Sequence, residues 1–363
     1  MKRLLMVAIV AFIWPLSVNA QEEIRDWKWE KAFMSVVLIS TEQQVATSNF
    51  NPPPKVEDTP HSEQATPDNI PSIVPPKYGM GTGFFIDSLH VVTNYHVIKN
   101  ADVIKVYSYG YPFEITEVEV VGYDEEVDLA VLKINKIFAH EHINFADEDP
   151  LIGDTAYAIG HGAGQMWSLT QGIIGYDTRP NANTSWVHYL QTDAVINHGN
   201  SGGPLLNEDG DVIGVNTLII SQTKYYVGYG YAIPTALAER VARQIITTGT
   251  HVKPLLGIHM GILEDKQLYE DLVSKGKDHL LEVKKLTPGG PAELFGVKVD
   301  DIIVSVDGKP VYVTNEVIRV LWDKLPGEAL NLEIYRDGEY ITIDVILGQG
   351  HSKANTFGIA NPK

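Results

Sequence analysis

The chain of 363 residues contains no cysteine. That excludes disulfides, a thiol nucleophile, cysteine-rich zinc sites and lipid attachment through cysteine, so packing alone must hold the fold. Basic residues are scarce as well: 28 Lys and Arg stand against 46 Asp and Glu, a formal net charge of −18. Phosphates are held chiefly by Lys and Arg, so this balance argues against nucleic acid and acidic membranes. The acid excess reads simply as solubility. Long apolar runs are missing with one exception, at the start. MKRLLMVAIVAFIWPLSVNA carries two cations, an apolar run from Leu4 to Val18 interrupted by Pro15, and a small-residue exit at Val18-Asn19-Ala20. The run is shorter than the roughly 20 residues a span needs. Residues 1–20 are therefore expected to be an export signal cleaved before Gln21, leaving no membrane anchor.

What is present suggests two cores, given the length and a hydrophobic fraction of 44%. Residues 27–40, WKWEKAFMSVVLIS, lead from an aromatic-rich, helical entry into a β-branched strand. From Thr41 to Lys77 the chain is rich in Pro, Asn, Gln, Ser and Thr, a composition expected of a loop rather than a packed core. Short apolar strands separated by turns then follow from Gly81 to Ile220, which predicts an all-β sandwich or barrel. A helix is expected over about 234–248, with proline at its start and Gly249 at its end. The expected division is a first folded domain over 21–250 and a smaller strand-and-helix domain over 254–348. Hairpin turns are expected at Asp307-Gly308 and Asp337-Gly338, and an ordinary tail over 349–363.

The stretch HGNSGGP, 198–204, places one serine among three glycines. Such a serine is a nucleophile only if a base takes its proton and an acid holds the base. Among twelve histidines, His96 stands out at the end of the strand VVTNYHVI. His90, His161 and His198 are read as structural. For the acid, Asp128 is flanked by apolar Val127 and Leu129, and a partly buried carboxylate needs a partner. Asp193 and the run Asp124-Glu125-Glu126 are the alternatives, the run being read as a solvated turn. Backbone N–H groups of Gly199, Asn200 and Ser201 are the candidate oxyanion donors. His140-Glu141-His142 lacks the spacing of a helical zinc motif, so no metal and no cofactor are expected.

GTGFFID, TNYHVI, DLAVLKI, LTQGIIG, QTDAVINHGNSGGPLLN and GVNTLIIS, in this order, resemble the HtrA (Deg) family of exported serine proteases. The resemblance implies a chymotrypsin-like double β-barrel followed by an α+β PDZ domain. It makes His96 the general base, Asp128 its orienting acid and Ser201 the nucleophile. It also implies that Ile196, Thr217 and Leu218 lie near the bound peptide. The position six before the serine is Val195, followed by Ile196, so the pocket is expected to be apolar and shallow. Leu255, Leu256, Gly257 and Ile258 match the carboxylate-binding loop of a PDZ module, which adds an extended C-terminal peptide as a strand. Asp300 stands where the family usually has glycine, and aspartate tolerates unusual turn angles. Trp27, Trp29 and Phe33 lie where family members form a homotrimer. The implied function is degradation of unfolded or damaged envelope proteins in the periplasm. Two other readings stand beside it: a regulatory protease cutting one signalling substrate, and a chaperone or peptide-binding protein whose protease site is idle.

Overall fold

The computed structural model describes residues 27–43, 77–109, 115, 118–134, 141–181, 184–219, 227–274 and 281–350. The expected export signal, the centre of the 41–77 loop, His140 and residues 351–363 lie outside the described residues.

Helix α1 (Trp27–Ser35) enters β1 (Val36–Gln43), and β2 (Lys77–Phe85), β3 (His90–Thr93), the short helix α2 (Tyr95–Ile98), β4 (Val103–Ser108), β5 (Val118–Asp124) and β6 (Leu129–Ile134) follow. These strands form one antiparallel sheet in the order β4-β1-β2-β3-β6-β5. A Val106–Ile115 bridge links β4 to the residues ahead of β5. Thr41–Gln43 and Lys77, read as loop, are strand residues: Gln43 pairs with Lys77, because β-branched and alternating side chains extend the ladder past the apolar core.

A second unit comprises β7 (Thr155–Gly160), β8 (Ser168–Asn181), β9 (Thr184–Thr192), β10 (Pro204–Leu206), β11 (Val212–Ile219) and β12 (Gly230–Pro234). It closes into a barrel in the order β10-β11-β12-β9-β8-β7. Helix α3 (Thr235–Thr248) follows, with Pro234 at its N-cap and Gly249 ending it at φ 78°. Its buried residues Leu237, Ala238, Val241, Ala242 and Ile245 recur at helical spacing. They share one core cluster with Val92 and Val131 of the first sheet and Val212, Val215 and Ile233 of the barrel. One apolar face thus clamps the two β-units together, and the candidate active site lies between them.

The third unit runs β13 (Lys253–Leu255), β14 (Ile258–Ile262), α4 (Lys266–Ser274), β15 (Leu281–Leu286), α5 (Pro291–Leu294), β16 (Ile302–Val306), β17 (Lys309–Pro310), α6 (Thr314–Trp322), β18 (Ala329–Arg336), β19 (Glu339–Ile346) and β20 (Gly348–Gly350). The main sheet is ordered β14-β15-β16-β18-β19, with β14 at an edge. Asp307 and Asp337 adopt φ of 49° and 52° before their glycines, as the expected hairpin turns require. Asp300 takes the left-handed φ of 71° that glycine usually supplies. Gln349 and Gly350, read as tail, instead pair with Pro254 and Lys253. Two short strands too poor in apolar residues to show periodicity thereby tie the end of this unit to its beginning.

Helix α6 packs on both sides. Val317 and Leu321 fill the core of the third unit, while Ile318 and Trp322 join the core cluster of the first two. Asn315 donates to the Thr178 carbonyl at 3.1 Å, the Trp322 indole N–H to the Trp186 carbonyl at 3.0 Å, and Arg319 pairs with Asp149.

Candidate active site

His96 owes its position to the short helix α2. Tyr95, Val97 and Ile98 are buried, so this turn leaves the His96 ring half-exposed at the end of β3. Asp128 sits between the fully buried Val127 and Leu129, and its φ of 62° is unusual for a residue other than glycine. The strained turn is held by its own carbonyl, which accepts from Tyr95 N at 3.2 Å and from Asn94 Nδ2 at 2.9 Å. The Asp128 carboxylate takes three donors. His96 N lies 2.9 Å from Oδ1, while His96 Nδ1 and the Thr217 hydroxyl each lie 2.7 Å from Oδ2. An acceptor so occupied requires the proton on His96 Nδ1, which leaves Nε2 as the basic atom.

Ser201 stands in the turn between β9 and β10. The Ser201 carbonyl accepts from Thr82 N at 2.8 Å, and Gly202 N donates to the Asn216 carbonyl at 2.8 Å, so β2 and β11 grip the turn from both β-units. The Ser201 hydroxyl donates to the Thr217 carbonyl at 3.4 Å. Thr217 therefore touches both Asp128 and Ser201, which brings His96, Asp128 and Ser201 to one place.

Of the three candidate oxyanion amides, Asn200 N is already bound to the Asn197 carbonyl at 2.9 Å. The turn closes through that bond, so Asn200 is not a free donor. The Gly199 and Ser201 amides have no hydrogen-bond partner among the described residues. Gly199 adopts φ 104°, and a Cβ there would lie 2.4 Å from the His161 carbonyl oxygen. Only glycine fits. Its conformation is fixed by a relay absent from the sequence reading: the Thr82 hydroxyl donates to the Gly199 carbonyl at 2.5 Å and meets His161 Nδ1 at 2.9 Å. Since the hydroxyl proton is committed to Gly199, Nδ1 of His161 must be the donor. Burial lowers the pKa of His161 to about 4 and keeps the ring neutral. The Ala163 amide also binds the His198 carbonyl at 2.8 Å, fixing the preceding peptide.

The expected substrate-contact residues separate. Thr217 is almost fully buried behind Asp128, so its side chain positions the acid instead of lining a pocket. Ile196 is only 1% exposed and packs in the barrel core. A Cβ on Gly230 would lie 2.7 Å from Ile196 Cδ1, so this side chain packs tightly against β12. Leu218 pairs with Tyr231 next to a β-bulge. Val195 remains 39% exposed.

In the run Asp124-Glu125-Glu126 the two glutamates are exposed turn residues, as expected, but Asp124 is not solvated. Asp124 is fully buried, binding the amides of Glu126 and Val127 through Oδ1, at 2.8 and 2.9 Å, and His251 Nδ1 through Oδ2 at 2.7 Å. Lys253 Nζ lies 3.3 Å from Asp124. Burial alone would raise the Asp124 pKa, but the His251 hydrogen bond and the Lys253 charge outweigh it and bring it down to about 2. The loop that carries Asp128 is thus anchored to the segment joining α3 to the third unit.

Residues 81–215 match the trypsin-like peptidase domain, and residues 254–347 match the PDZ domain. The serine endoprotease DegS of Salmonella typhimurium is 36% identical over 275 residues, covering 73% of this chain and 76% of the relative. The chain belongs to the HtrA family of serine proteases. A probable periplasmic DegP-like endoprotease of Chlamydia muridarum is 35% identical over 80% of this chain, which spans 56% of that relative's length. The solved HtrA-type protease AlgW with a tripeptide superposes with a TM-score of 0.70 at 26% identity, covering 89% of this chain and 96% of that one. In this HtrA-family chain the first two β-units form the peptidase domain and the third is the PDZ domain.

Among the PDZ residues, Leu255 lies in β13 opposite Gly348 and so belongs to a ladder, outside the expected carboxylate loop. The Leu256 and Gly257 carbonyls accept from Ala292 N and Thr287 N, at 3.0 and 2.9 Å. With trans peptides, the N–H groups of Gly257 and Ile258 therefore point the other way.

Proposed function

We propose that this protein is a serine endopeptidase in which Ser201 attacks the peptide carbonyl and His96 Nε2 takes its proton. Asp128 holds the imidazole tautomer and stabilises the imidazolium. The Gly199 and Ser201 amides stabilise the oxyanion, and His96 then returns the proton to the leaving amine. The observation that carries this reading is the Asp128 carboxylate, which binds His96 Nδ1 and, through Thr217, reaches the Ser201 hydroxyl. Apolar Val195 and Ile196 favour cleavage after small or branched apolar residues.

The PDZ domain is proposed to take a C-terminal peptide along β14, with its carboxylate on the Gly257 and Ile258 amides. Because α6 is bolted to the peptidase domain, a peptide that shifts the PDZ domain acts on an element already in contact with the protease. The proposed setting is the periplasm, after removal of residues 1–20. The proposed substrates are unfolded envelope proteins, and the proposed assembly is a homotrimer. In α1, Trp29 packs on Tyr157 with ring centroids 4.5 Å apart and Phe33 on Tyr109 at 5.6 Å, so both aromatics also serve the fold of one subunit. A fluorophosphonate probe tests the chemistry directly: the wild type is expected to be labelled on Ser201, with labelling lost in Ser201→Ala and strongly slowed in His96→Ala. Equal labelling of wild type and Ser201→Ala contradicts it.

A further inference from the structure

The peptidase domain carries an apolar cavity of about 490 Å³ that the steps above do not use. Its walls are Leu38 of β1, Tyr78 and Met80 of β2, Tyr107 of β4, and Met166 and Trp167 just before β8. No charged side chain lines it. Tyr78, Met80 and Met166 are 71%, 40% and 56% exposed, a cluster of apolar surface that marks a binding site more often than chance.

Three observations join this cavity to Ser201. A Cβ on Gly199 would lie 3.2 Å from Met80 Cε, so the cavity begins where the oxyanion turn ends. Strand β2 runs from the serine into it: Thr82 N binds the Ser201 carbonyl, and Met80 and Tyr78 lie two and four residues further out on one face. Along this stretch one edge of β2 lacks a neighbouring strand among the described residues, because β3 pairs only with Gly83–Phe85 while β1 pairs along the other edge. The chemistry then decides which half of a substrate lies here. His96 must hand its proton to the departing amine, so the chain that follows the cut bond leaves on the side of His96, and His96 and β2 belong to the same β-unit. The acyl half lies toward Ile196 in the other.

Resting on the serine-protease reading, we propose that this cavity is a subsite for a large apolar side chain within three residues after the cut bond. The open edge of β2 receives that part of the substrate as an added strand. Two methionines and three aromatic rings suit side chains of varied shape, since thioethers adapt to irregular partners. The peptidase therefore selects segments that are apolar on both sides of the bond, the kind an unfolded protein exposes.

The test is a set of internally quenched peptides that share one sequence up to the cut bond and carry Leu, Phe, Gly, Asp or Lys at each of the next three positions, with cut sites read by mass spectrometry. At one of these positions Leu or Phe is expected to exceed Asp by about tenfold or more in kcat/KM, the worth of burying such a side chain. In Met166→Glu and Tyr78→Glu, both changed at exposed positions, the ratio of Lys to Leu peptides is expected to rise. A ratio within one variant is insensitive to partial loss of folding. Cleavage that is indifferent to all three positions, or a ranking unchanged in both variants, overturns the subsite alone. If no peptide is cut at all, the protease reading fails and the subsite falls with it.

Discussion

At the residue scale, the polar atoms around Asp128 have separable tasks, and substitutions should tell them apart. Asp128→Asn leaves the shape but presents an amide where His96 Nδ1 needs an acceptor, so kcat is expected to fall by about 10⁴. Thr217→Val removes one donor from the same carboxylate and should cost roughly tenfold in kcat, as the loss of a hydrogen bond to a charged group does, with Thr217→Ser restoring it. Both effects are read from peptide hydrolysis at saturating substrate. His161 predicts a pH dependence. Its folded pKa is depressed from 6.5 to about 4, so protons bind preferentially to the unfolded chain below pH 6.5. The stability from keeping this ring neutral is complete above pH 6.5 and declines as pH falls toward 4. Urea unfolding across that window should show the decline in wild type and less of it in His161→Gln. A decline equally steep in the variant contradicts the relay. His96 and Ser201 could be named as candidates because a histidine at a strand end and a serine among glycines are local features of the sequence. The Thr82–His161 contact and the bond from Thr217 to Asp128 could not be read, because a threonine or histidine that bonds across 79 to 89 positions looks like any other strand or loop residue.

At the element scale, the 124–128 loop connects catalysis to domain packing. Its carboxylate-to-amide bonds at Glu126 and Val127 set up the left-handed turn at Asp128, and its far side is held by His251 and Lys253. Asp124→Asn removes the buried charge that faces His251 and Lys253 but leaves Glu126 on Lys253, so the cost is expected to stay below the ~3–5 kcal/mol of a fully broken buried pair. Lower thermal stability together with slower peptide hydrolysis is expected. Full activity with unchanged melting would show that the loop stands without its anchor. The sequence misled at Asp124 alone, because Asp-Glu-Glu has the composition of a surface turn and only the fold brings His251, 127 residues away, against that carboxylate. The succession of short strands and the α3 helix were readable because apolar runs between turns and a period-3.6 pattern, with Pro234 and Gly249 at the ends, are local signals, whereas the order of strands in each sheet is not local. The short pair β13–β20 has no such pattern, since its ladder sets Lys253, Pro254 and Leu255 against Gly350, Gln349 and Gly348.

At the scale of the whole molecule, the PDZ domain is not a loosely tethered module. Trp322 is buried where α6 meets the peptidase domain, and Arg240 of α3 donates to the Lys324 carbonyl beyond the end of α6. A Trp322→Ala variant is expected to lose a few kcal/mol of stability, as large-to-small core changes do, and to weaken the coupling between PDZ ligand and protease rate. Domain order was visible in the sequence as a change of texture near residue 250, whereas the α6 contact depends on packing that no motif encodes. In the proposed function Ser201 is a nucleophile under PDZ control. The measurement that tests it most directly is degradation of casein by the chain lacking residues 1–20, for wild type and Ser201→Ala, with and without a peptide ending in a free hydrophobic C-terminus. Cleavage is expected from the wild type alone, faster with the peptide. Cleavage by Ser201→Ala at the wild-type rate, or a wild type that leaves casein intact under both conditions, would contradict it.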